Sequence, residues 1–559
     1  MDNCFSTCCC VKNLFKRKQS ISRPIDTIFN LPNAPTAWPP GNGFASGVID
    51  LGGLQVSQVS TFNKIWATYD GGPDNQGATI FEPTEIPQGF SMLGSYSQPN
   101  NKPLFGYVLV AKDVSSSSTI NSTLKKPIDY TLVLDTSSIK INEDTTCYIW
   151  LPIAPDGYKA LGHVVTTTQD KPSLDKIKCV RSDLTDQCES FSWIWGSNDF
   201  NFYDVRPINR GTQAPGVHVG TFVAQNGGNT NPPSISCLKN LNSLTKIMPN
   251  LLQINSILQN YSPIMYLHPD EEYLPSSVNW FFFNGALLYK KGQESNPIPI
   301  VPNGINLPQD PNNDGAYWLD LPADDTNKEK VKKGNLQSAE SYVHVKPMLG
   351  GTFTDFAMWI FYPFNGPVRA KVKFLNIKLG KIGEHVGDWE HVTLRVSNLD
   401  GKLWKIYFSQ HSKGEWIDSS QLEFQNDDKN NKRPIVYSSL HGHASYPHEG
   451  LVLQGKNGIG IRNDSAKSEM VMDLKKLVLV SADYLRPFVI EPSWLNYFRE
   501  WGPKIDYNLD EELRKVEKLL PGKLKDAFEK IIRSLPDEVL GEEGPTGPKV
   551  KYNWSGDEV

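Results

Sequence analysis

One short phrase recurs in the first half of the chain with its turn chemistry intact, and it limits the fold more than any other feature. Pro87-Gln-Gly89-Phe90-Ser-Met-Leu93-Gly94 is matched by Pro155-Asp-Gly157-Tyr158-Lys-Ala-Leu161-Gly162, and a shortened echo follows at Pro215-Gly216-Val-His218-Val-Gly220. Each copy makes a turn and then a short alternating strand that ends on glycine. Three such units, none able to bury its own face, predict a β-prism-like domain with a three-fold repeat over residues 41–235. The competing reading is a chance recurrence of turn motifs in an unrepeated sandwich. Runs such as Tyr107-Val-Leu-Val110 and Val392-Thr-Leu-Arg-Val396 are short, rich in β-branched residues and bounded by turn formers, so the whole chain should be mainly β. At 559 residues it has room for two domains plus tails.

Lys and Arg number 56 against 61 Asp and Glu, so no global field points to nucleic acid, and none is expected as a partner. No run reaches the about 18 to 20 apolar residues of a membrane helix; Trp280-Phe-Phe-Phe283 is broken at Asn284-Gly285. The first residues lack the apolar core of a secretory signal. The sequons at Asn121, Asn260, Asn463 and Asn553 are therefore expected to be unused, with the thiols reduced and the protein cytoplasmic, peripheral on the plasma membrane or an endomembrane or vacuolar membrane. Cys4, Cys8, Cys9 and Cys10 crowd together ahead of Lys12, Lys16, Arg17 and Lys18. Fatty acylation beside a polybasic stretch combines burial of acyl chains with attraction to anionic lipid, so residues 1–40 read as a membrane-targeting tail. The alternative is a disordered tail whose thiols bind metal or nothing. Asp2 excludes myristoylation, and Cys147, Cys179, Cys188 and Cys237 read as buried free thiols.

After the repeats, Leu238, Leu241, Leu244, Ile247, Leu251, Ile254 and Leu258 fit a linker helix over 236–260, interrupted at Pro249. A β-sandwich is expected over 261–485 and a helical segment over 486–559, with apolar stripes at Leu513, Val516, Leu519 and Leu520 and at Leu524, Ala527, Phe528, Ile531 and Ile532.

Eight of the ten histidines fall between His268 and His448. Within that window His385-Val-Gly387-Asp388-Trp-Glu390-His391-Val-Thr-Leu-Arg-Val396 reads as a strand that puts Asp388 and Glu390 on the face of Val392, Leu394 and Val396. Two carboxylates on an apolar face must be protonated, matched by a base or bound to a cation. A bulge at Gly387 would bring His385 to the same side, giving mixed oxygen and nitrogen donors suited to Ca²⁺, Mg²⁺ or Mn²⁺. The alternatives are a buried salt-bridge network with Arg395, Arg369 or Lys371 as counter-charge, or acid-base catalysis. His411, His441 and His443 could approach the same carboxylates. His268-Pro-Asp270-Glu271-Glu272 is a further candidate, although such a run is also an ordinary solvated turn.

Trp150-Leu-Pro-Ile-Ala-Pro155 to Gly162, followed by Cys179-Val-Arg-Ser-Asp-Leu184, resembles the β-prism modules of endosomal sorting and membrane-contact proteins, which implies binding to acidic lipid headgroups. Trp38-Pro-Pro-Gly41 to Gly47, Tyr266-Leu-His268 to Val278, His385 to His391 and Gly541 to Lys549 look like the plant family of unknown function grouped with vacuolar protein sorting-associated protein 62. That resemblance implies a link to vacuolar trafficking and its protein partners. The His385-x-x-Asp388-Trp-Glu390 core and Ser439-Leu-His441-Gly442 are similar to the necrosis- and ethylene-inducing-peptide-like proteins, cytolytic β-sandwiches that hold a divalent cation beside a sphingolipid-headgroup site. Their metal ligands fall on His385, Asp388 and Glu390, and a further ligand carboxylate falls near Asn365, an amide here. The expectation is a peripheral membrane protein that recognises an anionic or glycosylated headgroup with the help of a divalent cation. A metal-dependent hydrolase using His391, His441 or His443, and a membrane-perforating defence protein, are the alternatives.

Overall fold

The computed structural model describes residues 27–558 except 33, 42, 116–121, 198–199, 228–232, 310–314, 412, 428–430, 505–508, 519, 521 and 534–543. Cys4, Cys8, Cys9 and Cys10, on which the acylated tail was read, lie outside the described residues.

The recurring phrase has the same structural use three times. Ser91–Met92 pairs antiparallel with Val108–Asp113, which pairs with Leu54–Val59. Tyr158–Lys159 pairs with Cys179–Arg181, which pairs with Leu124–Lys125. Gly216–Val217 pairs with Cys237–Lys239, which pairs with Thr185–Asp186. A further three-stranded sheet accompanies each copy, formed around Ala78–Pro83, Tyr148–Ile153 and Phe200–Pro207. Leu93, Leu161 and Val219, the residues before the closing glycines, are fully buried in one shared core. At its centre the copies touch through backbone: a Cβ on Gly94 would stand 2.7 Å from Gly162 Cα and 2.7 Å from Thr221 Cγ2. Only glycine permits that approach.

Cys237–Lys239 completes the third copy, so ladder hydrogen bonds there override the helix-like apolar spacing read over 236–260. The helix starts after Pro249 and spans Leu251–Tyr261, capped by a reciprocal pair of bonds between Asn250 and Gln253. Cys147, Cys179, Cys188 and Cys237 are buried and unpaired.

The second half is built on a sheet of six strands: β1 (Ser341–Met348), β2 (Phe353–Asn365), β3 (His385–Ser397), β4 (Leu403–Gln410), β5 (Lys413–Asp418) and β6 (Leu477–Ser481). They lie in the order β5-β4-β3-β2-β1-β6. β2 is buried at all 13 positions, because both sheet faces are covered. Phe356, Met358, Ile360, Val392, Leu394 and Val396 face one core with Ile254 and Leu258 of the helix. Trp359, Phe361 and Trp389 face another with Phe281, Trp494 and Trp501. No extra residue enters at Gly387, contrary to the expected bulge: Tyr362↔Asp388 and Phe364↔Val386 keep one register on either side of it. Gly387 instead takes φ +69° opposite Pro363, where a Cβ would meet Trp501 O at 2.5 Å.

A smaller four-stranded sheet, built on the hairpins Arg369–Val372/Leu375–Lys378 and Gly450–Lys456/Ile459–Ser465, carries the helices Leu509–Glu517 and Gly522–Ile532. Leu513, Leu520, Phe528 and Ile532 bury against it. Residues 544–558 do not extend that helical pair; they return to β1–β3 in 3-10 turns and bury Asn553, Asp557 and Glu558. The halves of the molecule meet at Phe105 and Trp404, 4.5 Å between ring centroids, and at Asn240 Nδ2, 2.7 Å from Gly350 O. Among the described residues no helix is long and apolar enough to cross a membrane.

Candidate functional site

Strand β3 outruns its neighbour. Its pairing with β4 covers only Val392 to Val396, while pairing with β2 continues to His385. The stretch before Val392 is therefore paired in the ladder on one side only, and a cavity of about 340 Å³ opens there, lined by His385, Asp388, Glu390 and His391 together with Asn365 and His411.

Beneath the cavity lies a buried histidine that two carboxylates share. His443 Nδ1 donates to Asp388 Oδ2 at 2.9 Å, Nε2 lies 3.1 Å from Tyr273 O and 3.9 Å from Glu271 Oε1, and the ring stacks on Tyr362 at 3.8 Å. Burial disfavours its charge, yet its hydrogen bond to Asp388 and the nearby Glu271 carboxylate prevail and lift its pKa to about 9. His443 is thus an imidazolium at neutral pH. Burial likewise pushes the Glu271 carboxyl up, but bonds from His441 and the nearby His443 charge hold it well below the usual range. Asp388 is lowered in the same way, burial being outweighed by the bond from His443 and by nearby positive charge. Glu390 goes the other way: burial first, then the neighbouring Asp388 charge, raise it to about 8 against the opposing Ser409 hydroxyl. Asp388 accepts and a protonated Glu390 can donate, two roles set apart by environment.

The other candidates sort by distance. His385 Nδ1 sits 2.8 Å from Gly387 O. Asn365 Nδ2 donates to Gly383 O at 2.7 Å and Gly366 O at 3.1 Å. His411 Nε2 lies 3.0 Å from Asn463 Oδ1. The His441 backbone N–H donates to Glu271 at 2.6 Å. His391 points to the opposite face, stacked on Trp359 at 4.3 Å, with Nε2 at 2.7 Å from Asn553 Nδ2 and 3.2 Å from Glu558 Oε2. His268 and Asp270 stand apart from the cavity lining. They form a surface turn in which Asp270 N donates to His268 Nδ1 at 3.1 Å and the Asp270 side chain is 79% exposed. Glu271, next in the chain, is the member of that run that reaches the cluster.

The counter-charge also differs from expectation. Arg395 binds Asp355 at 2.8 Å and Asp557 at 2.6 Å, and Arg369 approaches Asp464, so His443 is what answers Asp388. Ser409, Lys346, Asn553 and Glu558 escape sequence reasoning; Glu271 belongs to the run from His268 to Glu272 read as a further candidate. Among the described residues, no three His, Cys, Asp or Glu side chains converge as a metal cage.

A family profile described as vacuolar protein sorting-associated protein 62 matches residues 25–558. The chain belongs to that family. No curated protein matches it. Among solved structures, the crystal structure of GNIP1Aa from Chromobacterium piscinae is 21% identical with TM-score 0.26, covering 36% of this chain and 40% of its own, so the chain spans about two fifths of that protein's length. NLPPya in complex with mannosamine is 10% identical with TM-score 0.22, covering 49% of this chain and 90% of its own. A structure titled "Toxin fold for microbial attack and plant defense" is 8% identical with TM-score 0.21, covering 46% and 79%. Members of the vacuolar protein sorting-associated protein 62 family gain no residue role from likenesses this slight.

Proposed function

We propose that the protein is a peripheral binding protein of vacuolar or endomembrane sorting whose cavity takes a polar lipid headgroup or a glycan. The observation that carries this reading is the pairing of an ionised Asp388 with a protonated Glu390 on the wall of an open cavity. The pair offers an acceptor and a donor to a hydroxyl-rich ligand, and the volume suits a small headgroup. Binding is favoured over hydrolysis because both His443 nitrogens donate, which leaves that imidazolium no lone pair with which to activate water. Melting with soluble inositol phosphates, phosphorylethanolamine, phosphorylcholine and simple hexosamines tests it. One of these should stabilise the wild type and not Asp388→Asn plus Glu390→Gln; equal response in both proteins, or none in either, rejects the reading.

One observation favours a divalent cation as part of the site: the His385 Nδ1 contact with Gly387 O would leave Nε2 as a ligand nitrogen. Asp388 is committed to His443 and Glu390 to Ser409, so both would have to turn toward Ca²⁺, Mg²⁺ or Mn²⁺. Stoichiometric metal in the wild type, lost in Asp388→Ala plus Glu390→Ala, supports the cation; a metal-free wild type whose melting ignores EDTA removes it. The membrane address is assigned to acylation of Cys4, Cys8, Cys9 and Cys10. Their replacement by Ser should release the protein in a high-salt wash, and retention would contradict the assignment.

A further inference from the structure

Away from the cavity wall, residues 366–383 carry Arg369, Lys371, Lys373, Lys378 and Lys381 and no acid. They form the hairpin Arg369–Val372/Leu375–Lys378 of the smaller sheet. Ala370, Val372 and Ile377 are buried in the core shared with Leu513 and Phe528, which turns Arg369, Lys371 and Lys378 to the other side. Arg369 stands directly opposite both Lys378 and Arg462, like charges in adjoining strands that work against pairing. Asp464 answers part of this charge, 2.7 Å from Arg462 and 3.7 Å from Arg369.

At the hairpin's tip Lys373 takes φ +59° and is tied to the adjoining hairpin. Its N–H donates to Gly458 O at 2.7 Å and its Nζ to Asn457 O at 2.6 Å. The next residue, Phe374, is 82% exposed. A lone exposed aromatic is commonplace. A phenylalanine on a braced tip, above a basic face in a chain of net charge −5, is a more specific arrangement.

We propose that this double-hairpin tip docks the protein on an anionic lipid bilayer, with Phe374 entering the headgroup region and Lys371, Lys373 and Lys378 meeting lipid anions. Charge complementarity selects an anionic surface, and the protruding ring selects one it can penetrate over a soluble acidic protein, which would need a matching pocket. Val368 and Gly383, at the base of the same hairpin, line the cavity. Docking would hold the cavity about 20 Å or less from the bilayer, given about 3.3 Å per strand residue, yet it stands whether or not the cavity binds a headgroup.

The test uses the full chain with Cys4, Cys8, Cys9 and Cys10 changed to Ser and Lys12, Lys16, Arg17 and Lys18 changed to Gln, so that neither acylation nor the tail's own charge contributes. It should co-sediment with phosphatidylcholine vesicles containing phosphatidylserine and not with phosphatidylcholine alone, and salt should release it. Adding Lys371→Gln plus Lys378→Gln should weaken binding about 25-fold, at about fivefold per basic residue. Phe374→Ala should weaken it about tenfold through lost apolar burial. Both variants should melt as the parent does. No binding by the tail-neutralised parent, or undiminished binding by both folded variants, overturns the proposal. So does capture by soluble polyglutamate that matches vesicle binding and ignores Phe374→Ala, the outcome that would favour an acidic protein.

Discussion

Strand β3 carries a buried charge cluster on each face, and the two are completed in opposite ways. On the face of His391, Thr393 and Arg395, the acids Asp355, Asp557 and Glu558 meet the bases Lys346, Arg395 and Arg210. Asp557 and Glu558 come from the C-terminal segment itself, and Arg210 also pairs with Glu189. On the face of Asp388 and Glu390, two ionised carboxylates share the imidazolium of His443, while Glu390 keeps a proton and a cavity opens beside it. A matched, closed cluster locks elements together; an unmatched, open one retains hydrogen-bonding capacity for something else. The difference follows from chain geometry: β4 ends its pairing before Glu390, and Asp557 and Glu558 of the C-terminal segment bury against Arg395, His391 and Thr393, while Thr546, Lys551 and Tyr552 of that segment help line the cavity.

Breaking the closed cluster should have the largest effect. Glu558→Gln leaves Lys346 and His391 buried without their carboxylate and should cost about 3 to 5 kcal/mol in urea unfolding. A cost no greater than that of Glu390→Gln would erase the contrast. His443→Gln should come next, at about 3 kcal/mol near neutral pH, because Asp388 and Glu271 lose their common partner. Its pH dependence is informative. The pKa of His443 is raised from 6.5 to about 9, so its contribution is fully present below about pH 6.5 and is lost as pH rises through about 9. The wild type should therefore weaken across that window more than His443→Gln does; parallel curves would contradict the imidazolium. Gly162→Ala strikes neither cluster and forces a Cβ to within 2.7 Å of Gly94 Cα. It should cost about 1 to 3 kcal/mol and leave the shape of the pH profile unchanged, and an altered profile would mean that the clusters answer to any loss of stability.

The three-fold repeat was legible because its signal is local: a Pro-x-Gly turn, an alternating strand and a glycine that packs on its counterparts. Asp388 and Glu390 were legible from strand parity alone. Their partners His443 and Glu271 stood only among several candidates, since they reach the strand from distant segments that carry no periodic pattern. Glu558 was the least visible, because a polar segment near the C-terminus gives no sign of threading back to β3. The bulge at Gly387 failed for a different reason: its partner across the ladder, Pro363, has no N–H to donate, so a positive φ is accommodated without an inserted residue.

The central claim is that Glu390 holds a proton that the open cluster cannot dispense with, and the stability gap between Glu390→Gln and the wild type from about pH 5 to about pH 9 tests it most directly. Folding takes up that proton between the ordinary glutamate range and about pH 8, so wild-type stability falls through this window while the variant is spared. The account predicts a gap that widens in favour of Glu390→Gln with rising pH, by on the order of a few kcal/mol. A gap that stays flat would show Glu390 to be an ordinary solvated carboxylate and would remove the distinction between the two faces of β3.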